Sequence, residues 1–306
     1  MDPLGNYTRC LFGNGPTAQA VVEFGRATMS SRRGWAGGVV LGLALVSTGC
    51  DVKVGEDGGL SVDFAAGRAT DEWVRTYDIR PGGRLDIINV NGQIEVSPSS
   101  GGQVEVRAIR EVRSNSEEAS REMLEKAEMR EEVAPDRVSI QGPEEQERGR
   151  GFRGSRLTIR YHVRIPPGLN LLFKTQNGEV RLENVQGVRI AASTTNGGVS
   201  GRNLSGAIEA TTVNGGIQMD LDAVTGETRM TTVNGGVRLT VAPGVNADLE
   251  ATVVNGGISI EDGFPLSGDE RSRQRVAGRI GSGGPRLVVQ TTNGGVRVGS
   301  RGAPGS

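Results

Sequence analysis

The chain has 306 residues and a formal net charge of −1, with 48 glycines, two cysteines, one histidine and only 4% aromatic residues. This balance offers no basic excess for a nucleic-acid partner, and it leaves a thin core of Val, Ile, Leu, Thr and Ala. The cysteine and histidine counts exclude a disulfide framework and a Cys/His zinc site.

Residues 1–28 have no signal-like pattern and precede a credible start at Met29, so they read as a mis-called or disordered leader, which also holds Cys10. Residues 29–50, MSSRRGWAGGVVLGLALVSTGC, read as a lipoprotein-type signal peptide. Arg32 and Arg33 form its basic start, and Trp35–Val46 is an apolar stretch of 12 residues, too short to span a bilayer. Ser47, Thr48 and Gly49 then lead into Cys50. The segment resembles a bacterial lipoprotein signal, which implies a lipid on Cys50 and a mature chain that begins there. Ser47 departs from the aliphatic residue usual at its place, and SRRGW is loosely similar to a twin-arginine signal, so the export route stays open. The expected address is the bacterial cell envelope, with contact to the membrane through the lipid. Residues 51–71, rich in Gly, Asp and Ala, read as a flexible tether.

Residues 72–298 read as one β-repeat domain. Its asparagines at Asn91, Asn177, Asn196, Asn214, Asn234, Asn255 and Asn293 are each followed by Gly, and in five copies by Gly-Gly. From Asn177 the steps are 19, 18, 20, 21 and 38 residues, the last being two steps of 19. Asn and Gly accept positive φ cheaply, so each copy is expected to mark a tight reversal. Counting from each Asn, positions −6, −4, −2, +3 and +5 are apolar or Thr almost every time, as in Met230, Thr232, Val237 and Leu239. Asn89 is an exception, and the copy at Asn196, with Ser200 and Gly201 after Val199, is the weakest. The intervening positions are polar, as in Arg238, Arg297 and Gln218. Period-2 alternation of this kind is the mark of half-buried strands. The fold class is therefore all-β, and the favoured architecture is a β-solenoid of repeats of about 19 residues with NGG turns, stacked about 4.8 Å apart. The alternative is an antiparallel hairpin meander or sandwich, since Asn-Gly is also a strong hairpin signal. In the solenoid Thr212 lies beside Thr232 and Thr232 beside Val253, whereas in a hairpin Val253 faces Ile258.

One segment breaks the rhythm. Residues 114–132 read as a helical insertion that packs on or caps a sheet edge, with Ser114 and Glu117 spaced as a capping box and the pairs Glu117–Arg121 and Glu122–Lys126. Residues 142–155 read as a mobile loop, residues 156–165 as a strand, and residues 299–306 as a disordered tail.

Little here suggests catalysis. His162 falls on the polar face of its strand, no Ser/His/Asp set can be assembled without it, and no cofactor or metal is expected. Asp220 and Asp222 share one strand face, as do acids of some polysaccharide-cleaving β-helices, but they do not recur from repeat to repeat as calcium-binding acids would. GSGG at Gly281–Gly284 lacks the lysine and helix of a phosphate loop.

The segments LDIINVNGQIEV, IPPGLNLLFKTQNGEVRLENVQG, the TTVNGG copies and IGSGGPRLVVQTTNGGVRV together resemble the bacterial "putative adhesin" family of β-strand-repeat proteins, long carried as a domain of unknown function. The resemblance spans about Trp73–Val298. It implies a β-helix-like fold outside the cytoplasmic membrane and, for some relatives, a link to envelope stress; it brings no catalytic residues. The reading that follows is a non-enzymatic envelope lipoprotein whose repetitive β surface binds an envelope protein or a glycan. The wet face of Thr211, Gln218, Thr231, Arg238, Thr252, Ser259, Gln290 and Arg297 is where the ligand is expected. The alternative is a polysaccharide-acting β-helix enzyme using Asp220 and Asp222.

Overall fold

The computed structural model describes residues 50–54, 60–64, 67–143 and 155–301. The leader, the signal segment before Cys50, the centre of the 142–155 loop and residues 302–306 lie outside them. Strands β1 (Cys50–Val54) and β2 (Leu60–Phe64) form an antiparallel pair inside the segment expected to be a tether. The remaining strands belong to one sheet of 20 strands. It opens with β3 (Gly67–Tyr77), ahead of the expected boundary at residue 72. In chain order there follow β4 (Arg84–Ile88), β5 (Ile94–Pro98), β6 (Val104–Ser114), helix α1 (Glu117–Lys126), β7 (Arg130–Ala134), β8 (Arg137–Gln141) and β9 (Arg156–Ile165). The repeat region holds β10 (Asn170–Asn177), β11 (Val180–Glu183), β12 (Gln186–Asn196), β13 (Val199–Asn214), β14 (Ile217–Val224), β15 (Thr228–Asn234), β16 (Val237–Val241), β17 (Ala247–Asn255) and β18 (Ile258–Ile260). The chain ends with β19 (Leu266–Arg271), β20 (Arg275–Ile280), β21 (Arg286–Asn293) and β22 (Val296–Ser300).

The segments immediately before and after an Asn-Gly do not pair with each other. Thr212 lies opposite Thr194 and Thr232, all ahead of their asparagines, while Ile217 lies opposite Val199 and Val237, all beyond them. Each Asn-Gly is thus a corner between two parallel walls, and the antiparallel meander is excluded. The first wall runs β8, β4, β10, β12, the second half of β13, β15, β21, β17. The second runs β9, β5, β11, the first half of β13, β14, β16, β22, β18. The asparagines are not the strained residues expected for a reversal. Among described non-glycine residues positive φ occurs only at Asn184, between β11 and β12, and at Asn203, at the irregularity inside β13 where the chain passes from the second wall back to the first.

Rung order departs from chain order at both ends. Thr212 sits beside Thr232 as expected, but Thr232 then sits beside Thr291, and Val253 lies on the far side of Thr291. The expected neighbourhood of Thr232 and Val253 is therefore wrong. The cause is the β19–β20 hairpin: β20 runs antiparallel along the outer edge of β17, so the last strand enters on the inner edge. At the other end β4 is likewise set between β8 and β10.

The core lies between the walls and consists of the alternating positions read from the sequence. Leu171, Phe173, Ile190, Ile208, Met230, Leu249 and Leu287 point inward from the first wall, and Val180, Leu182, Ile217, Met219, Val237, Leu239, Val296 and Val298 from the second, all buried. Threonine at position −2 is buried too, and its hydroxyl has a fixed task. Thr194, Thr212, Thr232 and Thr291 donate to the carbonyls of Gly178, Gly197, Gly215 and Gly235 in the neighbouring rung, at 2.8 to 2.9 Å. Each corner carbonyl, turned inward and out of the strand ladder, is thereby satisfied, which a valine could not do.

The rest of the repeated phrase has equally local reasons. Asn177 donates its side-chain amide to Asn91, Asn196 to Asn177, Asn214 to Asn196, Asn234 to Asn214, Asn293 to Asn234 and Asn255 to Asn293, a ladder with links of 2.8 to 3.0 Å. Identical residues in register are what allow such a ladder. The glycine after each Asn is imposed by crowding: a Cβ at Gly92, Gly178, Gly197, Gly215, Gly235, Gly256 or Gly294 would lie 1.8 to 2.1 Å from a carbonyl oxygen of the next rung.

Helix α1 is shorter than the 114–132 expected, because residues 130–134 belong to β7. Its cap is Ser116, whose side chain accepts from the Ala119 amide, and not Ser114, which is buried and bonded to Ser120. Met123 and Leu124 are buried against β3 and β6, and the Glu117–Arg121 and Glu122–Lys126 pairs form on its exposed side.

Candidate binding surface

The eight residues expected on one wet face lie on two. Thr211, Thr231, Gln290 and Thr252 are register neighbours on the outside of the first wall. Gln218, Arg238, Arg297 and Ser259 are register neighbours on the outside of the second. Alternation names which residues point out, but the corner sends successive outward positions to opposite sides. The second set borders a groove, of about 560 Å³, which crosses the rungs, while Thr211 of the first lines a separate one of about 520 Å³.

The floor of that groove is the second glycine of the motif: Gly198, Gly216, Gly236, Gly295 and Gly257, one per rung. Its outer side is formed by Ser200, Gln218, Arg238, Arg297 and Ser259. The second glycine is dictated far less by the stacking than the first, and at Gly216, Gly295 and Gly257 not at all. An added Cβ would meet a carbonyl oxygen of the neighbouring rung at 3.1 Å at Gly236 and 3.2 Å at Gly198, a tight fit but far from the overlap at the first glycine. The nearest atom lies at 3.4 Å at Gly216 and 3.5 Å at Gly295, and nothing lies within 4 Å at Gly257. Two earlier copies carry Gln93 and Glu179 at this place. That substitution was the signal in the sequence that the two glycines of NGG differ in kind.

Charge is distributed unevenly along the second wall. Toward β5 and β9 the outer side chains engage one another: His162 Nδ1 is 2.8 Å from Glu95, Arg181 is 3.0 Å from Glu179, and Ser200 donates to Glu179 at 2.7 Å. Toward β18, Arg238 and Arg297 stand in register on adjacent strands, both exposed, and neither forms an ion pair among the described residues. Their neighbours Gln218 and Ser259 are uncharged. Like charges directly opposite on a sheet repel, so this pair has no electrostatic justification within the fold.

The two candidate acids are engaged elsewhere. Arg301 holds Asp220 through Nε at 3.2 Å and also through its terminal nitrogen, which reaches Asp222 at 2.7 Å. Hydrogen bonds to Asp220 and then Asp222 raise the Arg301 pKa above its ordinary value. The domain therefore runs past residue 298, through β22 and on to Arg301. No group of three or more His, Cys, Asp or Glu residues able to hold a metal occurs among the described residues. None of their helices is long and apolar enough to cross a membrane. Cys50 opens β1.

The sequence profile of the Toastrack DUF4097 family matches residues 83–299. The chain belongs to that family. Its Toastrack domain is thus the solenoid-like coil itself, from the start of β4 to the end of β22. Among solved structures, a "putative cell adhesion protein" from Clostridium sporogenes shares 12% identity at a TM-score of 0.46, with 76% of this chain and 100% of that one covered. A "putative adhesin" from Bacteroides fragilis shares 9% identity at a TM-score of 0.31, covering 74% of this chain and 97% of that one. A "putative lipid binding protein" from Parabacteroides distasonis shares 8% identity at a TM-score of 0.28, over 76% and 97% of the respective chains. No curated protein matches.

Proposed function

We propose that this protein is a non-enzymatic lipoprotein of the bacterial cell envelope, anchored by a lipid on Cys50, whose Toastrack domain holds an extended ligand against the outside of its second wall. A repeat of about 19 residues with one NGG corner gives that wall its regular surface. The observation that carries the reading is the groove across the rungs, floored by one glycine per rung and bordered by two arginines that form no ion pair among the described residues. Weak contacts repeated from rung to rung gain by avidity, which suits a tethered binder. Against an enzyme stands the engagement of Asp220 and Asp222 by Arg301, which leaves no free pair of acids there. The tie to envelope stress implied by the family resemblance adds an expectation that its abundance rises when the envelope is damaged.

The test is an affinity pull-down from envelope extract with the mature lipoprotein, with fractionation of cells and mass analysis of the N-terminus. The reading expects a membrane-bound chain that begins at a lipidated Cys50 and retains an envelope glycan or protein. An unmodified cytoplasmic chain that begins at Met1 and retains nothing would overturn it.

A further inference from the structure

We infer that the groove takes a linear acidic glycan, whose carboxylate or phosphate groups pair with Arg238 and Arg297. The inference rests on the binding reading above and names the class of ligand. Arg238 and Arg297 occupy opposed register positions on β16 and β22, and no carboxylate among the described residues pairs with either. Two guanidinium groups set side by side lower each other's stability until an anion lies between them, and the planar fork of arginine suits carboxylate and phosphate oxygens. The surrounding chemistry points to a sugar chain over other polyanions. The groove floor has no Cβ atoms from Gly198 to Gly257, so a ring can lie close against the backbone.

Gln218 and Ser259 stand beside the cations as neutral hydrogen-bonding groups suited to hydroxyls. The backbone groups of β14, β16 and β22 are already committed to neighbouring rungs, so an extended peptide finds a strand edge only at β18, at one end of the groove, and none beside the arginine pair. No aromatic side chain lines it, which removes the stacking surface on which uncharged bases or sugars could be held and leaves the charge to supply affinity. A double-stranded nucleic acid requires many more phosphate contacts than one arginine pair provides.

The experiment uses the full-length lipoprotein purified in detergent and measures binding to polygalacturonate, phosphorylated dextran, unsubstituted dextran and poly-glutamate. The expected result is binding to one or both acidic glycans, about tenfold or more above unsubstituted dextran, and falling as salt rises. The R238Q/R297Q double variant is expected to lose that preference at an unchanged melting temperature. Lys174→Gln, on the outside of the first wall, removes a like charge and is expected to leave binding intact. Preference for polygalacturonate or for phosphorylated dextran identifies the acidic group. Equal binding to unsubstituted dextran, retained by the double variant, overturns the acidic class while leaving a binding face. Tighter capture of poly-glutamate overturns it in favour of an acidic protein. Binding to none of the four overturns it as well, and the envelope pull-down then decides separately whether the binding reading survives.

Discussion

Gly235, the first glycine of its NGG, and Gly257, an open second glycine, should respond oppositely to the same substitution. In Gly235→Ala the new Cβ would lie 1.9 Å from the Gly215 carbonyl oxygen, about 1.5 Å short of the 3.4 Å at which ordinary contact begins. That oxygen cannot retreat freely. It accepts from Thr232 at 2.9 Å, while the Gly235 amide donates to Asn293 and the Gly215 amide to Asn234, each at 2.9 to 3.0 Å. Opening the rungs enough to admit the methyl breaks about two of these bonds, at about 1 kcal/mol each, and adds an overpacking cost of about 1–3 kcal/mol. The expected loss is about 4 kcal/mol, equivalent to about 8–16 °C in melting temperature for a domain of this size. Gly257→Ala meets nothing within 4 Å and has no left-handed φ to preserve. It restricts the unfolded chain and should stabilise by up to about 1 kcal/mol. Urea denaturation of the mature chain followed by circular dichroism compares the two. Equal midpoints for the variants, or a Gly235→Ala midpoint within error of the parent, would refute the claim that contact between rungs dictates Gly235 and not Gly257.

Four further outcomes follow from the same geometry. Thr232→Val keeps the volume but strands the buried Gly215 carbonyl, so it should cost about 1–3 kcal/mol in the same denaturation assay, and no loss would mean that this carbonyl is satisfied without the hydroxyl. An acid at the buried Val237 should cost several kcal/mol, whereas Arg238→Ala should stay within about 0.5 kcal/mol; equal effects would count against the assigned faces. Desolvation raises the Glu111 pKa, but hydrogen bonding to Arg113 and the charges of Arg68, Arg113 and Arg160 outweigh it and hold the group below its ordinary 4.5. A carboxylate lowered in the fold stabilises above its unfolded value and ceases to do so as the pH falls through its folded value, so midpoints should be flat from pH 7 to about 5 and decline below about 4.5, less steeply in Glu111→Gln. Asp220→Asn should loosen Arg301 without altering ligand capture, and a glycan turnover that disappears in this variant would restore the enzyme reading.

Local rules were enough to read the strands, their buried positions and the stacking of like on like, because alternation and crowding act over a few residues. Ile217, Met219 and Leu221 are inward for the same reason in any all-β arrangement with a dry side, and the Thr and Asn of each copy meet their counterparts because only an in-register stack satisfies both. What the residues alone could not show was everything that depends on which copy meets which. The motifs before Asn234, Asn255 and Asn293 are nearly interchangeable, so their order is set by what else competes for an edge: β20 occupies the outside of β17 and sends β21 to the inside. The same limit concealed the ligand face. A period of two says that Thr231 and Arg238 both point away from the core, yet the corner at Asn234 separates them onto different walls. Likewise Arg301, assigned to a tail by its distance from the last repeat, is drawn onto Asp220 and Asp222 because the inserted last rung ends beside β16, one strand from β14, which carries both acids. Tertiary structure decided these points because they turn on proximity between segments up to 81 residues apart, which no local pattern encodes.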